Sequence, residues 1–121
     1  MPRLILEETR IHPAVREQIA QYRAGIVEEV QDAVAANAVV VVGMRQNPFP
    51  KQAKKLLDAN RIPYRYLEYG SYFGGWRRRT ALKMWTGWPS FPMVFVRGVL
   101  VGGAQDLARL HASGELAKLL A

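Results

Sequence analysis

The chain contains no cysteine among its 121 residues. That absence excludes disulfides, thiolate metal ligands, cysteine nucleophiles and thiol redox chemistry carried by this chain. The sequence also has no run approaching the ~20 apolar residues of a membrane helix. Its first residues lack the basic segment and apolar core of a secretory signal. We therefore expect a cytoplasmic protein that does not associate with a membrane.

Acidic residues are scarce: 10 Asp and Glu face 17 Lys and Arg, and the formal net charge is +7. Such a surplus favours acidic partners, although a solvated basic surface is the simpler interpretation. The two histidines, His12 and His111, have no acidic or cysteine companions at ligand spacing, so we expect no metal site. Half of the residues are hydrophobic, which is sufficient for one domain with a packed core.

The most informative stretch is a valine run followed by a polar break and a helix pattern. Val39 to Val42 suit a strand buried on both faces, because β-branched side chains pack well on a pleated surface. Asn47 can cap the next helix, and Pro48 fits its first turn. Free N–H groups and the helix dipole favour an anion there. The sequence therefore predicts a site between Arg45 and Pro50.

The remaining pattern predicts an N-terminal arm, four strands in all and further helices. We expect the arm over 1–12, helices over 13–37, 48–60, 76–86, 104–111 and 115–120, and strands over 39–42, 64–69, 93–96 and 99–101. A parallel strand pair bridged by a helix, then a helix and an antiparallel hairpin, gives an α/β fold. This is a four-stranded mixed sheet with helices on both faces, the thioredoxin-like arrangement, plus an extra N-terminal helix. Residues 1–37 are expected to belong to the same domain as 38–121.

Three motifs in this order resemble the glutaredoxin family. Asn47-Pro48-Phe49-Pro50 and its lysine-rich helix resemble the family's Cys-Pro-Tyr-Cys segment. Ser90-Phe91-Pro92 resembles its Thr-Val-Pro loop, where the proline is cis. Gly102-Gly103-Ala104-Gln105-Asp106 resembles its Gly-Gly-x-Asp turn. The resemblance covers Val39 to Ala121, about two-thirds of the chain.

The resemblance implies ancestry in the cell's glutathione-dependent redox system, together with a loss of its chemistry. The family's nucleophilic cysteine falls on Asn47 and its second cysteine on Pro50. An amide cannot attack a disulfide or replace a thiolate on a cluster iron. We therefore predict a cysteine-less pseudoenzyme with no catalytic residue and no required cofactor. Matching Arg45 to the lysine that precedes the family motif makes the loop one residue short.

A weak site for glutathione or a γ-glutamyl peptide is the activity that the resemblance leaves possible. Arg45 would face the glycine carboxylate, and the Phe91 backbone would pair with the cysteinyl part. The N–H groups of Ala104 and Gln105 would receive the γ-glutamyl carboxylate. Gln105 stands where the family has an acidic residue, and a neutral hydrogen bond contributes ~0.5–1.5 kcal/mol against ~1.5–3 for a charged one. The full set implied by the resemblance is Arg45, Arg79, Phe91, Pro92, Gly103, Ala104 and Gln105.

The alternative is a non-enzymatic interaction module that uses the basic helix from Arg77 to Lys83. Beside this helix, Tyr72, Phe73 and Trp76 could line a groove or contact a partner, although packing in the core or within the loop is the simpler interpretation. An acidic protein is one partner class. Nucleic acid is the less favoured class, because no recognised nucleic-acid module accompanies the basic residues. A solvated helix face is the simplest interpretation of the same pattern.

Overall fold

The computed structural model describes residues 3–71 and 73–121. Its elements, in chain order, are a 3-10 helix Glu8–Arg10, α1 Pro13–Gln21, α2 Ala24–Ala36, β1 Val39–Gly43, α3 Pro48–Ala59, β2 Arg65–Glu68, α4 Trp76–Thr86, β3 Met93–Val96, β4 Val99–Gly102, α5 Ala104–Ser113 and α6 Glu115–Leu120. Each strand and helix predicted after residue 38 is present, with small differences at its ends.

The four strands form one mixed sheet in the order β2-β1-β3-β4. β1 pairs in parallel with β2 and antiparallel with β3, so that Val41 lies between Tyr66 and Val94. β3 pairs antiparallel with β4. The predicted four-stranded mixed sheet is therefore confirmed. The end of β1, the start of β3 and the end of β4 lie at the same end of the sheet, and the site residues lie there.

The valine run of β1 contributes to two separate cores, because successive side chains of a strand point to opposite faces. Val40 and Val42 pack on one face with residues of α2 and α4. Val39 and Val41 pack on the other with residues of α3, α5 and α6. All four valines are fully buried. Helices therefore cover both faces of the sheet, as the sequence predicts.

The single helix expected from Pro13 to about Asn37 is wrong: two helices, α1 and α2, replace it. The break falls at Tyr22 and Arg23, where the Arg23 backbone adopts the left-handed conformation with φ 48°. α1 has no buried residue, so packing does not hold the two segments in one line. The turn instead directs Ile26 and Val30 of α2 into the core beside the sheet.

The N-terminal arm leaves much of its apolar surface exposed. Leu4 and Ile5 are 102% and 68% exposed. The arm contacts the domain through Arg3, whose Nη1 donates to the carbonyl oxygen of Thr86 at 3.1 Å. Tyr72, named above with the exposed aromatic residues, lies outside the described residues, as do residues 1 and 2. No helix within 3–71 or 73–121 is long and apolar enough to cross a membrane.

Candidate functional site

Asn47 lies at the junction of β1 and α3 and makes two hydrogen bonds with its side chain. Its Oδ1 accepts from the N–H of Phe49 at 3.0 Å, which confirms the predicted helix cap. Its Nδ2 donates to the carbonyl oxygen of Phe91 at 3.2 Å. The side chain is buried, with 8% of the residue exposed. Both polar ends of the amide are therefore occupied by backbone groups.

The loop before β3 places a cis peptide bond opposite this helix start. The bond between Phe91 and Pro92 is cis, as the resemblance implies, and both residues are buried. β3 begins directly afterwards at Met93, which pairs with Val42 at the end of β1. That register explains why residues far apart in sequence, Asn47 and Phe91, come within hydrogen-bond distance.

The third wall of the site is the start of α5. Gly102 has φ 105°, and a Cβ there would lie 2.7 Å from Oδ2 of Asp106, so only glycine fits without strain. Asp106 accepts a hydrogen bond from the N–H of Gly103 at 3.0 Å and fixes the turn into the helix. The N–H groups of Ala104 and Gln105 lie in the first turn, where a helix offers no internal acceptor. They remain available to an anion.

These three segments enclose a cavity of about 540 Å³. Its lining combines residues from the α3 start, α4, the cis-proline loop and the α5 start: Met44, Asn47, Phe49, Arg79, Lys83, Trp88, Pro89, Ser90, Phe91, Pro92, Gly103, Ala104, Gln105 and Asp106. The lining includes every ligand-site residue that the resemblance implies except Arg45.

Arg45 lies outside that lining. Its side chain is 72% exposed, and its Nε lies 3.7 Å from a carboxylate oxygen of Glu68 at the end of β2. Its backbone N–H donates to the carbonyl oxygen of Gly70 at 2.7 Å. The guanidinium group of Arg45 therefore lies on the β2 side of the loop and faces the carboxylate of Glu68.

Two other cations line the cavity from α4. Arg79 is only 8% exposed, and its Nη1 donates to the carbonyl oxygens of Tyr69 and Gly74 at 3.1 and 2.7 Å. Lys83, one helical turn further on, has its Nζ 5.9 Å from the centre of the Phe91 ring. Sequence reasoning missed Lys83 as a site residue, although its four-residue spacing from Arg79 places both on one helix face.

Two further apolar side chains, those of Phe49 and Trp88, complete the wall, and neither is among the ligand-site residues that the resemblance implies. Phe49 is 45% exposed, a large apolar residue at the cavity. Trp88 is half-buried: it packs against the core on the α2 and α4 side of the sheet and also lines the cavity. Its indole N–H is buried and has no hydrogen-bond partner among residues 3–71 and 73–121. Only its position next to the cis-proline loop could have indicated such a role.

Pro50, at the position of the family's second cysteine, is a packing residue. It is buried, and a Cβ added to Gly43 would lie 2.9 Å from the Cβ of Pro50. The proline has no N–H to offer in the first turn of α3. Because Pro48 also lacks an N–H, the α3 end of the site has two donors fewer than a helix N-terminus usually provides.

Comparisons with known proteins agree with this geometry. Residues 39–101 match the glutaredoxin family model. The chain is 42% identical over 98 residues to a glutaredoxin-like protein of Dictyostelium discoideum, covering 81% of this chain and 80% of that protein. It is 35% identical over 92 residues to a glutaredoxin of Ricinus communis, covering 76% and 90%. Other relatives include glutaredoxins described as mitochondrial or chloroplastic.

Solved structures give the same result. A buckwheat glutaredoxin crystallised with glutathione superposes with a TM-score of 0.72 at 28% identity, covering 86% of this chain and 91% of that one. An oxidized glutaredoxin 2 from Chlamydomonas reinhardtii gives 0.69 at 34% identity, covering 80% and 92%. The sheet order, the cis-proline loop and these matches together show that the chain belongs to the glutaredoxin family and has its thioredoxin-like fold.

Proposed function

We propose that this chain binds glutathione or a γ-glutamyl peptide in the cavity and has no thiol–disulfide oxidoreductase activity. The observation that carries the proposal is the common lining of one cavity by Asn47, Phe91 and the α5 start. The buckwheat glutaredoxin with which the chain superposes was solved with glutathione. The cavity here retains the backbone features on which the resemblance places that ligand.

The charges of the cavity suit a small peptide with two carboxylates. The first-turn N–H groups of Ala104 and Gln105 would meet the γ-glutamyl carboxylate, because a helix N-terminus favours an anion. Lys83 would meet the glycine carboxylate, because Lys83 lines the cavity and Arg45 does not.

Other contacts predict that binding is weak. The Phe91 carbonyl, one of the expected ligand acceptors, already accepts from Asn47. One terminal nitrogen of Arg79 is engaged by two backbone carbonyls. Gln105 is neutral and exposed. A ligand that used these groups would therefore compete with hydrogen bonds that the protein already makes to them.

The absence of cysteine is the reason to expect no turnover. Thiol–disulfide exchange requires a thiolate to attack a disulfide sulfur. The side chain at the family's nucleophile position is the amide of Asn47, held between Phe49 and Phe91. The expected assignment is a non-enzymatic member of the glutathione system; its cytoplasmic location stays a prediction.

Titrating glutathione into the labelled protein by NMR tests the binding proposal. We expect shifts confined to Phe91, Ala104 and Gln105 and to the neighbouring α4 residues at millimolar ligand. Cysteinylglycine, which lacks the γ-glutamyl group, is the matched control and should not shift Ala104 or Gln105. No shifts with glutathione would reject the site.

A glutathione-coupled disulfide reductase assay tests the second half of the proposal. The protein should give the same rate as a protein-free blank. Turnover above the blank would contradict the assignment, whatever the result of the titration.

A further inference from the structure

A second pocket, away from the glutathione cavity, collects three arginines from two separate parts of the chain. It encloses about 220 Å³ and is lined by Arg23, Gly75, Trp76, Arg77 and Arg78. Arg23 comes from the break between α1 and α2, and the others come from the start of α4. The sequence pattern showed only the α4 part of this cluster, because the break that brings in Arg23 was not predicted.

Within residues 3–71 and 73–121, no ion pair compensates the charge of this pocket. None of its three arginines forms an ion pair with the residues that the structure describes. The first turn of α4 contains no acidic residue, although acidic side chains are the ones that the dipole favours there. Glu29, a carboxylate on α2, instead accepts a hydrogen bond from the Tyr69 hydroxyl at 2.8 Å.

Arginines at a helix start oppose the dipole, and the repulsion among three like charges around one pocket is unfavourable as well. A bound anion would reverse both, because guanidinium groups pair well with phosphate oxygens. A contribution to the stability of the fold therefore does not explain why three arginines line this pocket, whereas the binding of an anionic ligand does.

Exposed aromatic rings adjoin the arginines. Trp76, which lines the pocket, is 58% exposed, and Phe73 in the preceding loop is 88% exposed. The guanidinium carbon of Arg77 lies 5.0 Å from the centre of the Trp76 ring. An exposed ring beside arginines is a combination that binds unpaired bases and their phosphates.

We propose that the surface formed by Arg23, Trp76, Arg77 and Arg78 binds single-stranded nucleic acid. The arginines would contact successive phosphates, and the Trp76 ring would stack on a base. The net charge of +7 would accelerate the encounter. Aromatic exposure favours this ligand over a phosphorylated or acidic peptide, whose side chains do not require a flat stacking surface.

The two sites lie on different faces of one helix. Arg79 and Lys83 of α4 line the glutathione cavity, whereas Arg77 and Arg78 line the arginine pocket. The nucleic-acid proposal is therefore independent of glutathione binding. Failure of either one leaves the other in place.

Fluorescence anisotropy with labelled twelve-nucleotide oligo-dT and oligo-rU tests the proposal across a salt series. Three phosphate contacts on a single strand predict a slope of log K against log salt of about −2. Each of R23Q, R77Q and R78Q should reduce the slope by about 0.7. Trp76→Ala should weaken binding about 5- to 100-fold with the slope unchanged.

Arg61→Gln is the matched control. Arg61 is exposed and has a left-handed backbone, φ 56°, like Arg23, but it follows α3 at the opposite end of β2. It should leave affinity and slope as in the parent protein. Equal losses in R61Q and R77Q, or no binding at low salt, would overturn the proposal. So would a phosphorylated peptide of equal charge that binds as tightly as the oligonucleotides.

Discussion

The side-chain nitrogen of Asn47 lies 3.2 Å from the carbonyl oxygen of Phe91 and joins the start of α3 to the cis-proline loop. The same side chain caps α3 through its oxygen. One amide thus performs two structural tasks at the position where the family has a nucleophile. The local structure of a glutaredoxin site is retained here by hydrogen bonds that a thiol would not make equally well.

Replacing Asn47 by alanine should destabilise the protein. Loss of a helix cap costs ~0.5–2 kcal/mol, and the Phe91 carbonyl would lose its partner as well. Asn47→Ser, which keeps a cap acceptor but cannot reach as far, should lose less. Urea unfolding followed by circular dichroism measures both changes. Equal losses of stability in the two variants would show that the helix cap does not stabilise the protein separately from the hydrogen bond to Phe91.

Asn47→Cys should yield a thiolate with a lowered pKa. Free N–H groups at a helix start stabilise a thiolate, whose ordinary pKa is ~8.5. The effect falls off beyond the first turn, so Gln52→Cys, exposed on the same helix, is the control. The rate of alkylation against pH reports both values. Identical profiles for the two thiols would contradict an active helix N-terminus at this junction.

The two candidate cations for the glycine carboxylate can be separated by mutation. Lys83→Gln should weaken glutathione binding several-fold, because the lysine lines the cavity. Arg45→Gln should change it little, because Arg45 lies outside the cavity lining and its side chain faces Glu68. The same NMR titration measures both. A larger loss in Arg45→Gln would restore the contact expected from the sequence.

Arg79→Met should loosen the loop between β2 and α4. The arginine is buried and donates to the carbonyls of Tyr69 and Gly74, and charged hydrogen bonds contribute ~1.5–3 kcal/mol. Hydrogen exchange should accelerate from Tyr69 to Gly75, and the protein should unfold at lower urea. Arg78→Met, at an exposed neighbouring position, should change stability by less than about 0.5 kcal/mol. Unchanged exchange in Arg79→Met would rule out this anchor.

Stability should fall in strong alkali. Burial, then the hydrogen bond to Glu29 and the charge of that carboxylate, raises the pKa of Tyr69 above its ordinary value of 10.0. Burial and Glu68 likewise raise the pKa of Tyr66 to about 12. The unfolded chain therefore loses these protons first, so stability is full below about pH 10 and declines towards pH 12. Tyr69→Phe should flatten the decline measured by urea unfolding between pH 8 and 12; an unchanged slope would contradict this assignment.

Local patterns were sufficient to predict most elements. The valine run, the asparagine before Pro48 and the stiff turn ending at Pro92 each specify the backbone near them, because their preferences are intrinsic to the residues. The break at Tyr22 and Arg23 was not predictable in this way. It depends on which helix covers a face of the sheet: α2 buries Ile26 and Val30 there, whereas α1 has no buried residue.

Two properties of this chain follow from its sequence alone. It has no cysteine, and it carries the motifs of the glutaredoxin family in their order. The positions of the charged side chains follow only from the tertiary structure. In it, Arg45 faces Glu68, Lys83 lines the cavity, and Arg23 lines one pocket with Arg77. The physical reason is that backbone preferences act over a few residues. The position of a side chain relative to distant residues depends instead on strand register and on how the helices pack.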